Sequence, residues 1–174
     1  MIAPVAEDTG MQAVRIQLLQ RMPIFGGIRD DILGFLLELA PIVRVPKDGF
    51  FFREDEEGQS MFVLEEGRVA VLKRWQDGNC VLQILERGDC FGEMALLDLF
   101  PRSASVCAVE DCVAIELSAA SLYELYKKDL EQFAMIEMNM GREVSRRLRE
   151  SHERLFRVRM GVADAGADYL FPGT

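Results

Sequence analysis

Histidine is almost absent from this chain: His152 is the only one among 174 residues. Enzymes that bind a metal inside a small β-barrel use clustered histidines with a carboxylate. No metal site and no metal-assisted hydrolysis are therefore expected, and no nucleophile and base pair replaces them. Cysteine is scarce as well. Cys80, Cys90, Cys107 and Cys112 form no C-x-x-C pair, which favours reduced core residues over an iron–sulfur cluster. Long apolar runs are missing: none approaches the roughly 18 residues of a membrane span. The N-terminal MIAPVAEDTGMQ lacks the basic and apolar parts of a signal peptide. A cytoplasmic protein, off the membrane, is expected. Neither G-x-x-x-x-G-K-[ST] nor G-x-G-x-x-G occurs, so a triphosphate or dinucleotide has no cradle. Positive charge is also in short supply, with 20 Lys and Arg against 29 Asp and Glu and a net charge of −9. That balance excludes general affinity for nucleic acid or anionic lipid.

The charge that is present is uneven. Residues 141–160 hold seven Arg and three Glu, a local excess of +4, leaving about −13 on the rest. A basic helix thus follows an acidic body. The length suits one domain with an accessory extension.

Residues 1–40 show helical spacing, with Val14, Leu18 and Leu19, then Ile32, Phe35, Leu36 and Leu39. Asp30 or Asp31 serves as N-cap and Pro41 as stop. From 41 to 118 the texture is that of short strands punctuated by Gly49, Gly58, Gly67, Gly78 and Gly88, the spacing of a small all-β domain. Asp77-Gly78 reads as a hairpin turn. Val113, Ile115 and Leu117 alternate with Cys112, Ala114 and Glu116 as in a barrel wall. The fold class is mainly β with flanking helices, an eight-stranded jelly-roll barrel between short N-terminal helices and a long C-terminal one.

Residues 119–158 return to the helical period, with a short helix over 121–128 and a long one over about 130–158. Phe133, Ile136, Met140, Val144, Leu148 and Leu155 are read as one apolar face of the long helix. A small barrel cannot cover all of it, so part is expected to pair with a second copy as a homodimer. Gly141 sits mid-helix at a cost of about 1 kcal/mol relative to Ala, which a close helix approach or a hinge would justify. The tail, 159–174, is expected to be loose or only partly docked.

The stretch CFGEMALLDLFPRSASV, residues 90–106, sets one carboxylate, Glu93, and one guanidinium, Arg102, among apolar and small residues. Gly92 permits a tight turn into a single helical turn with free N–H groups, and Arg102 offers a fork for two phosphate oxygens. A carboxylate beside such a site suits a sugar hydroxyl. Together they describe a ribose phosphate with a single negative charge. The alternative is a plain Glu93–Arg102 ion pair closing a loop.

F-G-E-M-A-L-L followed by P-R-S-A-S-V resembles the phosphate-binding cassette of cyclic-nucleotide-binding domains, found in protein kinase A regulatory subunits, cyclic-nucleotide-gated channels and bacterial catabolite activators. The order of elements over about 15–158 is similar too. The resemblance implies that Glu93 bonds the ribose 2′-hydroxyl and Arg102 the cyclic phosphate. Backbone N–H groups near Gly92, Ala95 and Ser103 complete the phosphate site, together with the Ser103 hydroxyl. SRRLRESHERLF is similar to the activators' last helix, placing Arg147 within reach of Glu93, and Ser151 and His152 at the base. Val71, Leu82 and Leu85 are barrel-side base contacts in this reading, although apolar strand residues of this kind are more often plain core. The implied function is a regulatory sensor, cAMP in preference to cGMP, with no cofactor beyond that ligand. Its output is the position of the last helix, passed to an effector protein that the sequence does not identify. Only 16 residues follow Val158, too few for a helix-turn-helix, so this chain alone is not expected to bind DNA; it is either a stand-alone module or the sensor part of a truncated transcription regulator. A degenerate domain that serves only as a dimeric scaffold is the competing reading.

Overall fold

The computed structural model describes residues 8–76, 78–161 and 170–171. Helix α1 (Asp8–Gln20), a 3-10 turn (Pro23–Phe25) and α2 (Asp30–Leu39) come first. Arg29 is the N-cap of α2, and Asp30 and Asp31 lie in its first turn, where the helix dipole favours them. Eight strands follow: β1 (Ile42–Val45), β2 (Phe50–Phe52), β3 (Ser60–Glu66), β4 (Val69–Trp75), β5 (Gly78–Leu85), β6 (Cys90–Phe91), β7 (Ser105–Ala108) and β8 (Cys112–Ser118). A single helical turn, α3 (Met94–Leu97), separates β6 from β7. Helices α4 (Ala119–Lys128) and α5 (Leu130–Arg159) close the order, capped by the Ser118 hydroxyl and the Asp129 carboxylate. Trp75 pairs with Gly78, so Gly78 is a strand residue rather than a turn residue; Asp77 lies outside the described residues.

The strands form two antiparallel sheets, β1-β8-β3-β6 and β2-β7-β4-β5-β9, where β9 is the short Leu170–Phe171 laid along Asn79 and Cys80. Beyond Gly161 the rest of the tail lies outside the described residues. Among those described, no helix is long and apolar enough to cross a membrane.

The β8 alternation does not separate core from solvent. Cys112 and Ala114 enter the core between the sheets, alongside Phe62, Leu64, Val69, Leu85 and Val106. Ile115 and Leu117, with Met61 and Val63 of β3, face a second core made by the helices. Because α1, α2, α4 and the first half of α5 cover the outer face of this sheet, both faces are apolar. The α5 stripe likewise divides. Ile136 and Met140 are buried under the N-terminal helices, whereas Leu148 and Leu155 are 54% and 51% exposed.

Buried amides fix the first half of α5. The Asn139 side-chain amide donates to the carbonyls of Ile24 and Gly26 at 3.1 and 2.9 Å, and the Gln132 oxygen accepts from the Arg29 N–H at 2.8 Å. Asn139 satisfies carbonyls of the 3-10 turn and its C-cap, and Gln132 satisfies the N–H of the α2 N-cap. This docking carries α5 across the mouth of the sandwich beside β6 and α3.

Candidate functional site

At that mouth Phe51, Phe52, Phe62 and Phe91 form an aromatic cluster, with the Phe62 and Phe91 rings stacked at 5.4 Å. Arg102 lies on it. Its guanidinium carbon is 4.0 Å from the Phe52 ring centroid, and the residue is only 5% exposed. Two glycines make the slot. A Cβ on Gly58 would come within 2.5 Å of Arg102 Nε, and one on Gly92 within 2.6 Å of Nη1. Gly92 also takes φ +85°, a conformation that side-chain-bearing residues rarely adopt.

Arg102 Nη1 donates to the Gly92 carbonyl at 2.9 Å and Nη2 to Ser60 Oγ at 3.4 Å, while Nε is buried without a partner. No carboxylate of the described residues lies within the 4.0 Å of a salt bridge. Burial lowers the Arg102 pKa from its ordinary value, partly opposed by Glu116, Glu56 and Glu93 at longer range. An arginine keeps its charge in a protein, so the mouth holds a buried cation that lacks an anion.

The alternative, a loop-closing ion pair between Glu93 and Arg102, is not formed. Glu93, 3% exposed, accepts instead from Arg147 Nη1 at 2.8 Å through Oε1. Arg147 also donates to the Cys90 carbonyl at 2.8 Å and to Glu143 Oε1 at 3.0 Å. Burial disfavours the Arg147 charge, but Glu93, Cys90 and Glu143 together hold its pKa above the ordinary value. The Glu143 carboxyl is held below its usual range, chiefly by the Arg146 guanidinium. Glu93 and Glu143 are thus answered by cations from α5. Glu93 Oε2 makes no hydrogen bond among the described residues and is free to accept one.

Burial, with Glu93 adding to it, pushes the Cys90 thiol up to about 12. Its sulfur lies 3.6 Å from Arg147 Nη2, so α5 covers it. Iodoacetamide at pH 8 is expected to alkylate half-buried Cys80 well before Cys90, because only the thiolate attacks. Peptide mass mapping over time reads this; equal rates would mean that α5 does not cover Cys90.

Around these charges is a cavity of about 120 Å³. Of the residues singled out in the sequence, Gly92, Glu93, Ala95, Arg102, Ser103, Val71, Leu85 and Arg147 line it. Leu82, Ser151 and His152 do not. Leu72 pairs with Val81 and Val71 with Gln83, leaving Leu82 as the extra residue of a β-bulge, 45% exposed. The Ser151 hydroxyl donates back to the Arg147 carbonyl at 2.9 Å, and His152 is exposed. Glu93 is the N-cap of α3 and its side chain makes no capping bond, which leaves the first N–H groups of that turn open. Ser103 is exposed, its carbonyl accepting from Lys73 Nζ at 2.8 Å.

Sequence reading missed Gly58 and Ser60, which shape the guanidinium slot, and Glu143, which holds Arg147. It also missed the lining residues Phe52, Gln83 and Phe91. Gly58 was visible as part of the glycine series, but as turn punctuation only.

The profile described as "Cyclic nucleotide-binding domain" matches residues 42–129, half of the chain. A cGMP-dependent protein kinase of Toxoplasma gondii is 37% identical over 91 residues, which is 52% of this chain and 9% of the kinase. A CRP-like cAMP-activated global transcriptional regulator of Mycobacterium tuberculosis is 26% identical over 140 residues, 80% of this chain and 61% of the regulator. The chain therefore spans less than two thirds of either relative. Among solved structures, a cyclic nucleotide-binding domain from Methylobacillus flagellatus has the same fold, with a TM-score of 0.75 at 22% identity over 84% of this chain and 83% of that one.

Proposed function

Because the chain belongs to the cyclic nucleotide-binding domain family, we propose that it is a cytoplasmic sensor of a 3′,5′-cyclic purine nucleotide, cAMP before cGMP. It binds the ligand without transforming it. The observation that carries this reading is Arg102, a guanidinium 5% exposed that meets no carboxylate among the described residues. One phosphodiester oxygen pair answers one arginine, and charge-assisted bonds in such a site are strong. Glu93 Oε2 takes a ribose hydroxyl, and the open N–H groups at the start of α3, with the Ser103 hydroxyl, complete the phosphate shell.

Adenine is favoured over guanine by the lining. Val71, Leu85 and Phe91 are apolar, and Gln83 supplies a single amide. Guanine would bury a carbonyl, a ring N–H and an exocyclic amine, and each unpaired group is costly.

Sites for drug-sized ligands run to about 300 Å³ or more, so the cavity of about 120 Å³ is too small for the whole ligand, and the base is held between the Val71 and Leu85 wall and α5. The base then displaces or repacks that helix, whose Arg147 already sits on Glu93. Ligand binding shifts α5 by as much as it prefers the rearranged state, and an effector protein reads the shift.

Thermal unfolding of nucleotide-stripped protein with and without cAMP, then cGMP, tests this. Ligand at about 100 times its dissociation constant adds about 2.7 kcal/mol, a midpoint rise of roughly 5 to 11 °C for a chain of this size. The larger rise is expected with cAMP. No rise with either nucleotide at millimolar concentration would overturn the reading in favour of a scaffold.

A further inference from the structure

Within the acidic body, Arg15, Arg29, Arg68 and Arg74 each reach a carboxylate at 3.1 Å or closer. Arg21 and Arg87 form no salt bridge and donate no side-chain hydrogen bond among the described residues. The two line one groove of about 590 Å³ between α1 and the turn from β5 to β6, a volume within the range of ligand sites. Half-buried Leu18 and buried Met22 form its base, while Val14, Gln17, Arg21 and Arg87 stand exposed along its rim. The one carboxylate in the lining, Asp89, is already engaged, accepting from the Glu86 N–H at 2.8 Å.

Both walls are fixed. Arg15 grips Glu65 of β3 through Nε and Nη2 at 2.9 and 3.2 Å, and Glu65 is buried. This pair holds α1 on the sandwich. The turn is held by the Gly88 N–H donating to the Leu64 carbonyl and the Leu64 N–H donating to that of Asp89, both at 2.9 Å. A Cβ on Gly88 would lie 3.8 Å from Leu18 Cδ1, so α1 rests on the turn itself. A groove with rigid walls binds at little ordering cost of its own.

Charge selects the occupant. Nucleic acid or an anionic bilayer would meet a body that carries about −13 outside residues 141–160 and be repelled. A short segment with two carboxylates meets only the two arginines, because charges farther than about 8 Å are screened at physiological ionic strength. Exposed ion pairs alone are weak, and the apolar base adds the burial that they lack.

We propose that this groove docks a short acidic segment of a partner protein. An apolar side chain of that segment lies on Leu18 and Met22, and flanking carboxylates pair with Arg21 and Arg87. Gly88 and Asp89 lead directly into β6, so the partner sits beside the strand that runs on to Gly92 and Glu93. The inference does not depend on the nucleotide, and its test reads peptide binding.

The probe is a pool of synthetic hexapeptides with Asp or Glu toward both ends and Leu, Met, Phe or Tyr at the centre. Titrated into the full, isotope-labelled chain, it is expected to shift the amide resonances of Leu18, Arg21 and Gly88, with half-saturation below about 1 mM. Arg21→Glu combined with Arg87→Glu should weaken binding about tenfold or more, since repulsions replace attractions. Both side chains are exposed, so the double variant should melt within about 4 °C of wild type. A pool with Lys and Arg in place of the acids should bind that variant to within about threefold of the original pairing. No shift at about 1 mM peptide overturns the proposal. So does a double variant that binds the acidic pool as wild type does, or one that the basic pool fails to bind. A dimer that sedimentation finds in the wild type but not in the double variant would assign the groove to a second copy of this chain, and overturn it too.

Discussion

Arg102→Met is expected to weaken cyclic-nucleotide binding about 30-fold or more while leaving the fold as stable as before, or more so. The two effects share one cause. In the nucleotide-free protein Arg102 is a buried charge held by a 2.9 Å bond to the Gly92 carbonyl, a long contact to Ser60 and the Phe52 face. These only partly offset the loss of hydration, which is why burial lowers its pKa. An unbranched apolar side chain fits the same slot between Gly58 and Gly92 without that cost. The unfolding midpoint should therefore stay within about 4 °C of wild type or rise. The phosphate of the proposed ligand, by contrast, loses the one cation that is fully buried among the described residues. Losing one partner of a buried charge pair costs about 2 to 5 kcal/mol, and every 1.4 kcal/mol is tenfold in affinity. Calorimetric titration alongside a melting curve separates the outcomes. Binding within tenfold of wild type would remove Arg102 from the ligand site. Unfolding of the variant would make it a structural residue.

The second large effect belongs to a residue without a side chain. Gly92→Ala is expected to lower both stability and affinity. At φ +85° an alanine costs about 1 to 2 kcal/mol, which for a chain of this size lowers the midpoint by roughly 2 to 8 °C. The new Cβ would also stand 2.6 Å from Arg102 Nη1 and 3.2 Å from the Ser60 carbonyl. The guanidinium is the softer neighbour, so it shifts and gives up its bond to the residue 92 carbonyl. The phosphate then meets a displaced fork, and affinity falls even at a temperature where the variant is fully folded. A melting change with unaltered affinity would mean that Gly92 serves the turn alone. Unaltered affinity and stability together would mean that neither the turn nor the slot needs a glycine.

Which parts of this arrangement were legible in advance follows from the range of the interactions involved. Gly92, Glu93, Ala95, Arg102 and Ser103 sit in one short stretch, and their chemistry is recognisable because turn, carboxylate and guanidinium follow one another along the chain. The strand texture between 41 and 118 is a local property too. Other features depend on what lies across the chain. The face of α5 that docks and the face that stays free are equally apolar in sequence, and only the position of the 3-10 turn under Asn139 tells them apart. Leu82 left the candidate base contacts because a β-bulge turned it outward, and period-two alternation carries no mark of an inserted residue. The β8 alternation left open which set faced the barrel, and Ile115 and Leu117 enter the helical core because helices cover that sheet.

What the sequence by itself determined about this protein is therefore its class and the identity of its charged pair. A chain with one histidine, no phosphate loop, regular glycines and a carboxylate and arginine in an apolar run can fold as a small β domain and carries the two charges on which the proposed ribose-phosphate site rests. What only the tertiary structure decided is who partners whom. Glu93 takes Arg147 from 54 positions away, and Arg102 meets no carboxylate among the described residues. The reason is physical: spacing along the chain limits where a charge sits, but only packing determines which opposite charge comes within 4 Å and which buried charge is left waiting for a ligand.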